Sequence, residues 1–95
     1  MTSRLILVKR KEILNLAASR GMSKVRVFGS FARGTARKTS DIDLLVDAGP
    51  NISMLDIIGL WLDLEELLGR KVDLITESGI HPELREAILS EARPL

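Results

Sequence analysis

Ninety-five residues, 14 of them Lys or Arg and 13 Asp or Glu, with 45% hydrophobic and 3% aromatic content, predict a single small soluble domain with an aliphatic core. A net charge of +1 excludes a global field that would recruit nucleic acid or an anionic membrane, and the scarcity of rings argues against base-stacking on single strands. The absence of cysteine excludes disulfides and thiolate metal sites, and no apolar run approaches a membrane span. Met1 to Arg10 mixes charged and apolar residues, which predicts no signal peptide and hence a cytoplasmic location.

Taken in order, the chain first predicts a helix capped at Thr2 or Ser3, running to about Arg20 and stopped by Gly21. Ile6, Ile13, Leu16 and Ala17 form its apolar face, while Lys9, Arg10 and Lys11 read as a solvated face. Met22-Ser23 is a tight connection into a strand over Lys24 to Phe28, which runs into Gly29-Ser30. Gly29 permits a turn closed to other residues and a close backbone approach to a ligand. Ser30 is expected to begin a short helix through Arg33, ended by Gly34. A helix start offers unpaired N–H groups to an anion, although a Gly-Ser pair taken alone is more often just a turn and a cap. Arg33, and with it Arg37 and Lys38 of the following loop, can clamp a phosphate or simply serve the surface. Ser40 can close a turn as readily as touch a ligand.

The run Ile42-Asp43-Leu44-Leu45-Val46, bounded by Ser40 and by Gly49-Pro50, predicts a second strand. Alternation puts Asp41 and Asp43 on one face, close enough that both stay ionised only with a positive charge between them. An oxygen-only donor set favours magnesium or manganese over zinc. Asp47 reads as a turn residue rather than a ligand, since Gly49-Pro50 ends the strand. Ser53 and Asp56 form a capping box for a long helix over Met54 to Leu68, ended by Gly69. Ile57, Leu60, Trp61, Leu64, Leu67 and Leu68 make its apolar stripe, with Trp61 as a core anchor and Asp63, Glu65 and Glu66 as a solvated face. A third strand spans Arg70 to Thr76. Its Asp73, flanked by apolar residues, needs a partner: an ion pair with Arg26 or Lys71, or a place beside Asp41 and Asp43. Pro82 opens a last helix whose face is Leu84, Ala87 and Ile88, with His81 as a loop or capping residue. The order helix, strand, short helix, strand, helix, strand, helix predicts a small α/β sheet packed with helices.

Gly29-Ser30, Gly34 and Ser40-Asp41-Ile42-Asp43-Leu44 resemble the signature of the DNA polymerase β-like nucleotidyltransferase superfamily. The wording SFARG to SDIDLLV looks most like its minimal nucleotidyltransferases (MNT), the antitoxin half of HEPN/MNT toxin–antitoxin pairs. A lone Asp-x-Asp is a weak signal; the Gly-Ser pair, the spacing and the strand context together make it specific. The resemblance implies a mixed sheet and a third acid, for which Asp73 is the matching position.

It also implies a chemistry: attack of a hydroxyl on the α-phosphate of a nucleoside triphosphate, with pyrophosphate leaving. Asp41, Asp43 and Asp73 would hold two magnesium ions, and Asp73 could accept the hydroxyl proton. Gly29, Ser30 and Arg33 would bind the phosphates. The donor implied is ATP and the acceptor a tyrosine of the HEPN toxin. Two rivals stand beside this: a non-enzymatic antitoxin acting by binding alone, and a small-molecule nucleotidyltransferase whose pocket a partner chain completes.

Overall fold

The computed structural model describes residues 4–95, so the expected cap at Thr2 or Ser3 lies outside the described residues. The elements run α1 (Arg4–Ser19), β1 (Met22–Phe28), α2 (Gly29–Arg33), β2 (Ile42–Ala48), α3 (Met54–Leu68), β3 (Val72–Thr76), a 3-10 turn (Glu77–Gly79), α4 (Pro82–Glu91) and β4 (Arg93–Pro94). The sheet is mixed, in the order β3-β2-β1-β4. Strand β1 lies antiparallel to β2 and β4, while β2 and β3 are parallel. The two-residue β4 is absent from the sequence-based order; Pro94 survives there because an edge strand can spare an N–H. Among the described residues no helix is long and apolar enough to cross a membrane.

Strand alternation gives the sheet two unlike faces. Val25, Val27, Ile42, Leu44, Val46 and Val72 point into the main core, against Ile6, Ile13 and Ala17 of α1 and Leu60, Leu64 and Leu68 of α3. On the opposite face Phe28 and Leu45 pack with Ile80 under Ile88, Leu89 and Ala92 of α4. This corrects the expected face of α4: Leu84 is 55% exposed and Ala87 is also exposed, while Ile88 carries over and Leu89 and Ala92 join it. The helix turns this stripe inward because β4 ties the end of the chain to β1.

The local punctuation matches the sequence. Ser53 and Asp56 form the reciprocal capping box of α3, and Gly34 and Gly69 end their helices in the left-handed region. His81 caps α4, its Nδ1 accepting from the Glu83 N–H at 3.2 Å. Three other expectations fail. Strand β2 continues through Asp47 to Ala48, so Asp47 is a strand residue. A bulge in β1 sets Lys24 and Val25 opposite one residue of β2, with Lys24 at φ 52°, and both Lys24 and Arg26 then reach the Asp47 carboxylate. The Asp47 charge is thereby matched within the sheet.

Trp61 is not a core anchor. It lies at the rim, 36% exposed, and its indole N–H donates to the Val72 carbonyl at 2.6 Å. Glu65, expected to be merely solvated, accepts from the Val72 N–H at 2.9 Å. Strand β3 is an edge, so Val72 turns both backbone groups away from β2, and α3 supplies the partners a further strand would have offered.

Candidate active site

Asp43 and Asp73 are directly opposite in the parallel β2–β3 pair, and Phe28, immediately before Gly29, pairs with Asp43 across β1–β2. The end of the second sheet face therefore gathers the Gly29 turn and the acids on three consecutive strand ends. Gly29 has φ 70°, and a Cβ placed on it would overlap the Asp43 carboxylate. Only glycine admits both the left-handed backbone and the acid pressed against it.

Burial raises the Asp43 pKa to about 6, helped by a hydrogen bond with Asp73 and by the negative charges of Asp73, Asp41 and Glu91. A protonated Asp43 donates to the Asp73 carboxylate. Asp41 lies just before β2, half-buried, and acts on Asp43 through its charge. Among the described residues Asp73 forms no ion pair with Arg26 or Lys71; the Arg26 guanidinium is spent on Asp47 and Glu77, each at 2.9 Å. Of the two partners open to Asp73 in the sequence, the structure places it with the acids.

The acids fit a hard cation in donor type, since all are carboxylates, and in electrostatics, since a cation would relieve the burial and neighbouring negative charge that raise the Asp43 pKa. Among the described residues no three His, Cys, Asp or Glu side chains are drawn together closely enough to wrap an ion without adjustment.

Ser30 sits half-buried in α2, and its carbonyl accepts from the Thr35 N–H at 2.9 Å and from the Gly34 N–H, closing the turn that follows. Arg33 is exposed and forms an ion pair with Glu91 of α4. Glu91 also accepts the Gly29 N–H at 2.9 Å, and these two donors hold its carboxyl below the usual carboxylate range. Sequence reasoning missed Glu91 altogether. Nothing local marks it, and only the fold brings it next to Gly29.

The loop between α2 and β2 is shaped by its own backbone and by Arg70. The Ser40 hydroxyl accepts from the Arg37 N–H at 2.7 Å, so Ser40 closes a turn. Arg70 donates to the carbonyls of Arg37 and Ser40 at 2.9 and 3.2 Å, and its guanidinium stands 5.2 Å from the Phe31 ring centre. Arg70 therefore fixes the chain just ahead of Asp41.

Comparison with known proteins agrees with this geometry. The nucleotidyltransferase domain model matches residues 10–95. A candidate protein adenylyltransferase of Methanocaldococcus jannaschii is 45% identical over 85 residues, covering 90% of each chain. A solved structure of a candidate minimal nucleotidyltransferase superposes with a TM-score of 0.89 at 47% identity, covering 100% of this chain and 97% of the other. The MNT antitoxin in complex with the tri-AMPylated HEPN toxin of Shewanella oneidensis shares the fold, with a TM-score of 0.71 at 19% identity over 93% of this chain and 69% of that one. The chain belongs to the nucleotidyltransferase domain family, in its minimal form.

Proposed function

We propose that this chain transfers AMP from ATP to a hydroxyl, a tyrosine of a HEPN-type partner protein, and acts as the antitoxin of such a pair in the cytoplasm. The observation that carries the reading is the juxtaposition of Gly29 with Asp43. A backbone donor able to face phosphate lies against a group of acids able to face metal.

Nucleotidyltransferases of this family generally work with a divalent metal. Here Asp41, Asp43 and Asp73 would hold magnesium, as two ions, with manganese as a substitute. When bound, the metal would supply charge neutralisation for the transfer. The Gly29 N–H, Ser30 and Arg33 bind and orient the β- and γ-phosphates. The tyrosine oxygen forms a bond to the α-phosphorus as the bond to the bridging oxygen breaks and pyrophosphate departs. The phenolic proton passes to Asp73, the most exposed of the three acids.

Binding alone is the second reading, and one observation favours it. Met54, Leu55, Ile58 and Leu62 leave an apolar outer face on α3, with Leu55 78% exposed. Intact-mass measurement of the HEPN partner after incubation with this chain, ATP and magnesium separates the two. Additions of AMP mass that vanish with chelator and with Asp41→Asn/Asp43→Asn support transfer. A stable complex without additions supports binding alone. Absence of both the additions and the complex moves a small-molecule acceptor to the front.

A further inference from the structure

The Glu91 carboxylate holds the two donors assigned above to nucleotide phosphate. One oxygen accepts the Gly29 N–H at 2.9 Å and the other pairs with the Arg33 guanidinium. We infer that Glu91 is an internal competitor for nucleotide, an acid that must leave Gly29 and Arg33 before a triphosphate can be seated. The inference rests on the nucleotide reading and adds to it a built-in control of affinity.

Two features argue that this contact is constructed rather than incidental. Glu91 is the last residue of α4, and the next two strand residues, Arg93–Pro94, pair with Arg26 and Val27 of β1. Ile88, Leu89 and Ala92 are packed over Phe28 and Leu45. Both anchors sit next to Gly29 in space, so the backbone of Glu91 is held where its side chain reaches the turn. The Glu91 side chain nevertheless keeps 26% of its surface exposed, so it can swing to solvent without unpacking the helix.

The chemistry makes the two occupants exclusive. A carboxylate and a phosphate both need the single Gly29 N–H, and both carry negative charge beside Asp43. Glu91 meets Arg33 through one oxygen while its other oxygen takes the Gly29 N–H, and a phosphate group offers the same pair of oxygen contacts to the same two donors. Apparent affinity for nucleotide is then scaled by the fraction of molecules in which Glu91 has left. Removing the Glu91 charge should raise that fraction.

The test is calorimetric titration of the purified chain with ATP and magnesium, in wild type, Glu91→Gln and Glu91→Ala, with thermal melts to establish that each variant is folded. Glu91→Gln keeps the side-chain shape and an acceptor for Gly29 while losing the charge. The expected result is ATP binding about five- to tenfold tighter in both variants, with tripolyphosphate, which lacks the base, gaining by a similar factor. Equal or weaker ATP binding in the folded variants overturns the competitor, weaker binding meaning that Glu91 instead props up the turn. A gain for ATP without one for tripolyphosphate also overturns it, since the effect then lies away from the phosphates. Absence of ATP binding by all three chains overturns the nucleotide reading and the competitor together.

Discussion

Gly29 and Asp43 are packed so tightly that no side chain fits between them: a Cβ on Gly29 would overlap the Asp43 carboxylate, and the Gly29 backbone already stands at φ 70°. The turn and the acid therefore constrain each other. Neither can shift without disturbing the other, which keeps the turn and the acid in register.

Gly29→Ala tests that constraint directly. The substitution forces a left-handed alanine and displaces the Asp43 carboxylate, with an expected stability loss of about 1–3 kcal/mol. Transfer of AMP should fall by about a hundredfold, the scale for misplacing reacting groups by about an ångström. Chemical denaturation and intact-mass kinetics measure the two effects. Full activity in the alanine variant would show that the turn does not face the reaction.

The pKa of Asp43, raised to about 6, sets a pH dependence with a definite sign. In the metal-free chain the folded state holds this proton more tightly than the unfolded state, whose value is near 3.8. Its contribution to stability is thus complete below about 4 and is lost as pH rises through about 6. Asp43→Asn should flatten that decline in denaturation midpoints measured from pH 4 to 7. Magnesium competes for the deprotonated form, so its affinity should rise across the same interval in wild type.

Trp61 and Glu65 together hold both backbone groups of Val72, the residue before Asp73. Glu65→Ala leaves an amide on the edge strand unpaired and should cost about 1–2 kcal/mol, with Trp61→Phe costing about 1 kcal/mol. The functional consequence is looser placement of Asp73, read as a fall in kcat for AMP transfer of about three- to tenfold. Unchanged kcat with lowered stability would assign the pair to the fold alone.

Arg70 staples the loop that precedes Asp41 through the carbonyls of Arg37 and Ser40. Arg70→Ala is expected to speed amide hydrogen exchange over residues 35–41 and to weaken magnesium binding by about two- to fivefold, since freeing the loop removes pre-organisation of Asp41. Exchange rates equal to wild type would rule out this role.

Much of this site was legible in one stretch of sequence because its determinants are local. Gly29-Ser30 after an apolar strand, and Asp41 and Asp43 two residues apart, state their own turn and their own shared face. The helix ends at Gly34 and Gly69 and the box of Ser53 and Asp56 are equally local, being settled within a turn of chain. Asp73 announced only that it lacked a partner; parallel pairing with β2 decided that the partner is Asp43.

The remaining assignments belong to the tertiary structure, because they depend on which backbone groups a packed element leaves unpaired. Trp61 fits an apolar stripe on helical spacing, yet the edge position of β3 draws its N–H to Val72 and Glu65 with it. Asp47 follows the strand because the β1 bulge brings Lys24 and Arg26 to its charge. Glu91 has no motif at all. It meets Gly29 across 62 residues of chain only because α4 packs on Phe28 and Leu45 and β4 closes the sheet beside β1. Sequence thus determined the turn and the acids of the candidate site. Long-range packing, which no local pattern encodes, decided that Glu91 is the acid that meets Gly29 and Arg33.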